Sequence, residues 1–391
     1  MAQSLRILFL APQPFFEVRG TPLAVLHMVR ALAALGHAVD LLTFPQGAEA
    51  EIPGVRHLRS LRLPVGRVRA GPSIAKMLLD APFMAEAVWR MATGGYDVVH
   101  AVEEAAHLSA PFTRLLRLPL VADVDSSIPD QLRYSGFARR GPLLWLADAL
   151  ETHALRRAAA VVTVCTSLTE AVRARAPRAR VFQVEDPPLV DGPAAPGSET
   201  VAALRCELAL PPLPVVLYSG NFEPYQGVDL LLEAARLAPE ACFLFMGGEP
   251  AEVEAMKARA AARGTRCAFS GKRPPSELPA FLALADVLAS PRHRGQNTPF
   301  KVFTYLASGK PLVATRIPTH TQLLDDSLAF LVEPTAEGLA AGVRQALGDP
   351  VEARARAARG RALIDREYSP ARYAEKVERA YAVIASLVGA G

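Results

Sequence analysis

Twice along this chain, apolar runs of strand length alternate with stretches whose apolar residues recur at helical spacing, and a proline-rich break separates the two series. That alternation calls for parallel strands buried between helices, because a parallel crossover needs a connecting element of its own. In the first series Arg6 to Ala11 reads as a buried strand. Pro22 to Leu35 follows with Leu23, Leu26, Val29 and Ala33 at helical spacing, and Gly36 supplies a left-handed stop. Val39 to Phe44 completes a βαβ unit, and Val98-Val99, Leu120 to Val124 and Ala160 to Val164 extend it. Between Asp186 and Pro214 stand Pro187, Pro188, Pro193, Pro196, Pro211 and Pro212, so part of this stretch reads as an interdomain linker. The second series predicts strands at Val215 to Tyr218, Cys242 to Met246, Arg266 to Ser270, Val287 to Ala289, Leu312 to Thr315 and Ala329 to Val332. Helices are expected at Val228 to Leu237, Glu252 to Ala262, Ser276 to Ala285 and Phe300 to Ser308, and a periodic helix from Ala371 to Val388 ends the chain. The expected fold class is α/β, with two Rossmann-like, doubly wound domains at 1–190 and 191–370 and a final helical segment at 371–391.

The 391 residues are too many for one ordinary core, and 51% of them are apolar, enough for two. Cys165, Cys206, Cys242 and Cys267 are widely spaced with no Cys-x-x-Cys pair, which argues against structural zinc and a disulfide framework and for a reducing cytoplasm. The apolar run Ile7 to Leu10 is too brief for a signal-peptide core, and no stretch approaches the roughly 20 residues of a membrane span. A cytoplasmic protein, at most peripheral to a membrane, is expected. Residues 1–190 hold 21 Lys/Arg against 17 Asp/Glu, and thus carry the whole net charge of +4. No acid falls between Ile52 and Leu79, where Arg56, Arg59, Arg62, Arg67, Arg69 and Lys76 lie. This basic 52–79 region is either a surface for the inner membrane face or a phosphorylated acceptor, or a solvated loop. Nucleic-acid binding is disfavoured because no aromatics interleave with the arginines. The next helix, Ser73 to Met91, offers Met77, Leu78, Phe83, Met84 and Trp89; Pro82 is expected to break it, and core packing is its expected role over membrane contact.

Two sharply marked helix starts carry the chemistry. Gly20-Thr21-Pro22 opens the first helix and Asn297-Thr298-Pro299 opens another in the second half. In each, the threonine is a predicted cap and the proline a first-turn residue, leaving open N–H donors at a positive helix end. Lys301 sits in the first turn of the second helix, where a cation opposes the helix dipole unless an anion lies beside it. Arg292, His293 and Arg294 stand just upstream, and Lys272 and Arg273 follow another strand end. Together they form a candidate metal-free diphosphate site.

From Val215 onward the sequence resembles glycosyltransferase family 4, and a weaker match extends over nearly the whole chain. The likeness is carried by Tyr218-Ser-Gly-Asn-Phe-Glu-Pro-Tyr-Gln-Gly-Val-Asp-Leu-Leu-Leu-Glu-Ala, Phe269-Ser-Gly-Lys, Ala285-Asp-Val-Leu-Ala-Ser-Pro-Arg and Lys301-Val-Phe-Thr-Tyr-Leu-Ala-Ser-Gly-Lys-Pro-Leu-Val-Ala-Thr. In the first half Ala34-Leu-Gly-His-Ala-Val and Tyr96-Asp-Val-Val-His fit as well. The resemblance implies the GT-B fold, with residues 371–391 crossing back onto the first domain. It also implies retaining transfer from a UDP-, GDP- or ADP-linked sugar to a glycan or lipid-linked acceptor, without cofactor or metal. The donor falls to the second domain and the acceptor to the first. On this reading Gly20, Thr21, Gly220, Asn221, Gln226, Gly247, Lys272, Arg273, Arg292, Arg294, Asn297, Thr298 and Thr304 bind the donor, and Asp125, Lys301 and Gln296 form the catalytic set.

The sequence departs from the family pattern at four positions. Its two glutamates, eight residues apart, fall at Gln296 and Thr304, and its phosphate-loop Arg and Lys fall at Asn221 and Gln226. These losses keep two other readings open, a catalytically inactive relative that partners another enzyme or binds sugar nucleotides, and a nucleotide-sugar epimerase of the same fold. On the acceptor side, Asp123-Val124-Asp125 followed by Ser126-Ser127 is a metal-binding triplet, a cap, or, as preferred here, the source of Asp125 near the reacting carbon. His100, Glu103 and Glu104 follow a strand and either touch acceptor hydroxyls or are loop polarity. Glu185 and Asp186 meet the linker as hinge or cap.

Overall fold

The structure is a computed structural model that describes residues 4–17, 20–66, 74–134, 141–189 and 196–389. The chain divides into two compact units, Met1–Asp186 with Tyr373–Gly391, and Pro187–Arg372.

The first unit runs β1 (Arg6–Ala11), α1 (Gly20–Ala34), β2 (Ala38–Thr43), β3 (Val55–Arg59), α2 (Ile74–Thr93), β4 (Val98–Val102), α3 (Glu104–Leu115) and β5 (Leu120–Val124). It continues with α4 (Ile128–Tyr134), α5 (Pro142–Arg157), β6 (Ala160–Thr163), α6 (Thr166–Arg175) and β7 (Val181–Gln183). Its seven strands lie in the order β3-β2-β1-β4-β5-β6-β7, all parallel, with Phe9 opposite both Leu41 and His100. Ile7 to Leu10 are wholly buried because helices cover both faces of the sheet, which is why this strand is a continuous apolar run. One face packs on α1. The other packs on α2, α3, α5 and α6, through Leu79, Phe83, Ala106, Leu155 and Leu168.

The second unit comprises α7 (Ser198–Glu207), β8 (Val215–Ser219), α8 (Val228–Leu237), β9 (Cys242–Met246), α9 (Pro250–Ala262), β10 (Cys267–Gly271), α10 (Leu278–Leu284) and β11 (Val287–Ser290). Then come α11 (Phe300–Ala307), β12 (Leu312–Thr315), α12 (Pro318–Thr321), β13 (Phe330–Val332), α13 (Ala336–Gly348) and α14 (Pro350–Leu363). Its parallel sheet has the order β10-β9-β8-β11-β12-β13. In each unit the chain starts mid-sheet and reverses its direction of winding once, between β1 and β4 and between β8 and β11. At such a switch point the loops leaving the strand ends part, and doubly wound sheets bind ligands there.

The last helix, α15 (Pro370–Gly389), begins in the second unit and is built into the core of the first. Tyr373, Val377, Ala380, Tyr381 and Ile384 recur at helical spacing, and all are buried with Phe9, Val29 and Leu32.

Two expectations are corrected, and two are made more specific. Residues 52–79 are not simply a loop, because Val55–Arg59 forms the edge strand β3, whose mixed composition an edge tolerates. Within the basic region Arg56 pairs with Asp40 and Lys76 with Glu104 at 2.5 Å, while Arg59 donates to the Gly47 and Ala48 carbonyls. Arg62 stands exposed, while Arg67 and Arg69 lie outside the described residues. Pro82 does not break α2, where Leu79, Phe83, Ala87 and Met91 form one buried stripe whose packing carries the helix through the missing hydrogen bond. Finally, α7 occupies part of the stretch read as linker, and Pro193 lies outside the described residues. None of the four cysteines is in a disulfide. Among the described residues no helix is long and apolar enough to cross a membrane.

Because Ile384 is wholly buried and neighbouring Val383 is exposed, truncating them separates core packing from helix propensity. Ile384→Ala is expected to destabilise the first unit by about 2–5 kcal/mol, and Val383→Ala to leave it nearly unchanged, read from urea unfolding midpoints. Equal effects would show that α15 does not hold this core.

Candidate functional site

At the switch point of the second unit, three loops meet behind β8, β9 and β11. Gly220 follows β8 with φ of 143°, and a β-carbon there would lie 2.7 Å from the Lys301 ammonium. Gly247, after β9 with φ of 122°, faces the Gly220 carbonyl so closely that a β-carbon would collide with it. Only glycine allows both this backbone and this approach. Lys301, the second residue of α11, places Nζ 3.8 Å above the centre of the Tyr218 ring and 3.4 Å from Gln226 Oε1. Among the described residues it has no carboxylate partner. Burial, reinforced by the charge of Arg292, pushes its pKa well below the usual lysine range. An anion placed there would relieve both effects.

Arg292 is 7% exposed, and its guanidinium is spread over the loop that follows β11. Nε donates to the Arg294 carbonyl at 2.8 Å, while Nη1 and Nη2 donate to the Asn297 carbonyl and Oδ1, each at 3.1 Å. Arg292 therefore shapes the loop as well as lending it charge. Beneath it, Thr315 donates its hydroxyl to the Arg292 carbonyl. His320 is wholly buried, with Nδ1 on the Thr315 carbonyl at 2.8 Å and Nε2 on the Ser290 hydroxyl at 2.8 Å. Burial holds its pKa down to about 4, so it acts as a neutral strut.

The remaining donor-side candidates are distributed unevenly. Arg294 is exposed, and Asn221 is exposed with its carbonyl accepting from the Tyr218 hydroxyl at 2.6 Å. The Gln296 carbonyl accepts from Gln322 at 2.9 Å. Thr298 is buried but does not cap α11: Pro299 holds the cap position, and no side chain caps that end. Thr21 likewise lies inside the first turn of α1, which starts at Gly20, and so is not its cap. Thr304 is 1% exposed and its hydroxyl accepts the Leu189 N–H at 3.0 Å, which turns it inward. Lys272 is paired with Glu249 at 2.6 Å, and Arg273 with Glu207 and Glu277. Both follow the edge strand β10 and are already matched by carboxylates, unlike Lys301.

The first unit gathers acids at its own switch point. Asp125, after β5, is 7% exposed and hydrogen-bonded to Thr21 at the start of α1. Burial, then Asp123, Asp186 and Glu103, raise its pKa well above the usual carboxylate range. Asp186 is pushed up to about 8 by burial and by Asp123 and Glu185. Glu103 follows β4 with φ of 49°, a conformation costly for any residue but glycine. Its carboxylate accepts from Ser126 and, at 3.2 Å, from Gln131, and burial raises its pKa. Glu104 is the partner of Lys76. His100 cannot touch an acceptor: it is wholly buried, stacked on Phe9, with Nε2 2.9 Å from Asp123 and Nδ1 2.6 Å from the Tyr381 hydroxyl. It is a fastening between the sheet and α15. Asp123 gives Oδ2 to His100 while its buried Oδ1 has no hydrogen-bond partner among the described residues, and among those residues no group of three His, Cys, Asp or Glu is arranged to hold a metal ion. Tyr218, Thr315, His320, Gln131 and Tyr381 were not singled out as site residues from sequence. Only Tyr218 carried a local signal, as a polar-tipped residue ending a buried strand two positions before Gly220.

Known proteins bear on these two sites. Residues 19–185 match the family model described as glycosyl transferase 4-like domain, and residues 207–362 the model described as glycosyl transferases group 1. The chain is 27% identical over 255 residues to an alpha-D-kanosaminyltransferase from Streptomyces kanamyceticus, covering 61% of this chain and 64% of that one. It is 30% identical over 181 residues to a GDP-mannose-dependent alpha-(1-6)-phosphatidylinositol monomannoside mannosyltransferase from Mycolicibacterium smegmatis, covering 43% and 47%. The match therefore spans less than two thirds of the length of either curated relative. Among solved structures, a sucrose-phosphate synthase from Thermosynechococcus elongatus superposes with a TM-score of 0.79 at 22% identity, covering 99% of this chain and 100% of that one. That likeness establishes the GT-B architecture of paired Rossmann-like domains.

The raised Asp186 pKa has a stability consequence of definite sign. Its carboxyl stays protonated in the fold up to about pH 8 but ionises near 3.8 when unfolded, so between those values the native state binds more protons. Stability of the first unit should accordingly fall as pH rises from 5 to 8. Asp186→Asn should flatten that slope in urea midpoints measured across the range, and an unchanged slope would show that Asp186 is ionised in the fold.

Proposed function

We propose, from the premise that this is a glycosyltransferase of the group 1, GT-B type, that it moves a sugar from a nucleoside diphosphate to a glycan or lipid-linked acceptor. Anomeric configuration is retained, and no metal ion is needed at the diphosphate. The observation that carries the reading is Lys301: a half-buried ammonium beside Arg292, with no carboxylate partner among the described residues, at the switch point of a doubly wound sheet. A diphosphate supplies the missing charge. As the bond from the anomeric carbon to the diphosphate breaks, negative charge accumulates on the leaving oxygens. Lys301, Arg292 and the N–H groups at the start of α11 are fixed in advance to receive it. The Gly220 and Gly247 backbones allow phosphates to approach closely. This chemistry accepts a UDP-, GDP- or ADP-linked donor alike, since none of these groups reads the base; the GDP-mannose dependence of one relative supports a nucleotide-sugar donor.

Asp125 is assigned to the acceptor side. With its pKa raised, it holds or accepts a proton more readily than a surface aspartate, which suits a group that orients the acceptor hydroxyl. A second reading, a relative that binds sugar nucleotides without transferring the sugar, is favoured by Thr304, whose hydroxyl is engaged by Leu189 where the resemblance places a glutamate.

Thermal stabilisation by UDP, GDP and ADP, followed by product analysis with the matching sugar donors, tests these statements separately. At a hundred times its dissociation constant a nucleotide should stabilise the protein by about 2.7 kcal/mol. Lys301→Ala should weaken that binding at least about tenfold, the loss of one charge-assisted contact. Undiminished affinity would remove Lys301 from the diphosphate site. Binding that disappears on adding EDTA would overturn the metal-free assignment. Binding without transfer or hydrolysis of any donor would favour the second reading.

A further inference from the structure

The large apolar side chains that stand exposed are concentrated on one layer of the first unit. Helices α2, α3 and α5 lie side by side on the same sheet face, with α3 in contact with both others. On α2 the outward positions Leu78, Ala81, Ala85 and Trp89 follow helical spacing and carry no charge. On α5 the outward positions Leu143, Leu146 and Leu150 do the same beside Trp145, which is 72% exposed. Between them α3 ends with Phe112 and with Leu115, 78% exposed. A soluble surface ordinarily places charge at such positions, and a layer of this kind marks an interaction surface.

The charges around the layer specify the partner. Of its acids, Glu86 pairs with Arg90 at 2.6 Å and Glu104 with Lys76 at 2.5 Å, Asp148 and Glu151 share Arg175, and Asp80 is turned inward with a buried oxygen. Arg62, Arg114 and Arg117 are exposed and, among the described residues, have no carboxylate partner. Apolar side chains including two tryptophans, bordered by unmatched cations, complement an interface of acyl chains beneath anionic headgroups. Two copies of this face would bring the same three unmatched arginines together, against one partly exposed acid, Asp148, that shares its cation with Glu151. We propose that the α2/α3/α5 layer docks on the surface of an anionic lipid bilayer, with Trp89 and Trp145 at the depth of the headgroup boundary. This surface is separate from the Lys301 site and does not depend on sugar transfer.

The chain provides its own probe, because its two tryptophans are Trp89 and Trp145. The full-length protein is mixed with vesicles of phosphatidylcholine alone or of equimolar phosphatidylcholine and phosphatidylglycerol, and followed by sedimentation and tryptophan emission. Anionic vesicles should bind it, shift the emission to the blue and, when brominated lipids are included, quench it; high salt should weaken binding. Trp145→Ser with Leu146→Ser should weaken binding about tenfold, and Arg114→Ala with Arg117→Ala should do so on anionic vesicles while leaving emission without lipid unchanged. All these positions are exposed, and unchanged circular dichroism checks that the variants fold. The proposal is overturned by an absence of vesicle binding, or by binding without an emission shift. It is also overturned by binding that the substitutions leave intact, or by a concentration-dependent dimer in light scattering that they abolish while no vesicle is bound.

Discussion

A half-buried ammonium held over a tyrosine ring, with a guanidinium beside it and no carboxylate partner among the described residues, is the arrangement on which the second unit turns. Folding alone gives no reason for it, because burial and like charge both disfavour the charged lysine. The surroundings nevertheless keep it in place. Gly220 clears the space for Nζ, Tyr218 offers the face of its ring, and the Ser290–His320–Thr315 chain fixes the loop that carries Arg292. Such reinforcement of an unfavourable charge is expected where a ligand completes the balance. Lys272 and Arg273 make the contrast, since both are basic, both follow a strand, and both are already paired with glutamates.

The first unit has the same topology but the opposite sign. Its switch point collects Asp125, Asp186 and Glu103, each with a raised pKa, next to the start of α1. Those acids are held by a frame that reaches far along the chain. Tyr381 on α15 meets His100 on β4, which meets Asp123 on β5, so the last helix and the acid cluster share one hydrogen-bonded line. Lys376 on the same helix pairs with Glu185 at 2.5 Å, beside Asp186. A substitution in α15 would therefore reach the acids through this line as well as through the apolar core.

Most of the fold was legible because continuous apolar runs and helical periodicity follow directly from burial on both sheet faces. β1, β5, β9 and β12 and helix α8 have the bounds that their residues predict. β3 was missed because an edge strand needs no apolar run, and α7 because the surrounding prolines outweighed a weak period. For the site, Lys301 was legible from the conflict between its charge and the helix dipole. The threonine caps were not, because α1 already begins at Gly20, before Thr21, and α11 begins only at Phe300, after Pro299. His100 looked functional as a polar residue ending a strand, and its partner Tyr381 lies 281 residues away, beyond any local pattern. The arginines of 52–79 looked like a surface, whereas Arg56 finds Asp40 only once β2 and β3 pair. Pairing across the fold decides which charges remain available, and sequence does not display it.

The departures at Gln296, Thr304, Asn221 and Gln226 look less damaging when their charges are taken together. The resemblance puts two acids at the first pair and two bases at the second, so losing all four leaves the local charge unchanged. What changes is its distribution. Gln226 now accepts from Lys301 at 3.4 Å instead of adding a second cation next to it, and Thr304 accepts the Leu189 N–H without adding a negative charge. On the alignment that the resemblance implies, those acids would be absent, the field of Lys301 and Arg292 would not be offset from that side, and fewer cations would suffice to meet the proposed diphosphate. Restoring a glutamate at 304 alone would bury an acid in a position that is 1% exposed and already hydrogen-bonded, and would oppose the charge that the site retains. On the alignment that the resemblance implies, the four neutral residues form one coupled exchange rather than four separate losses.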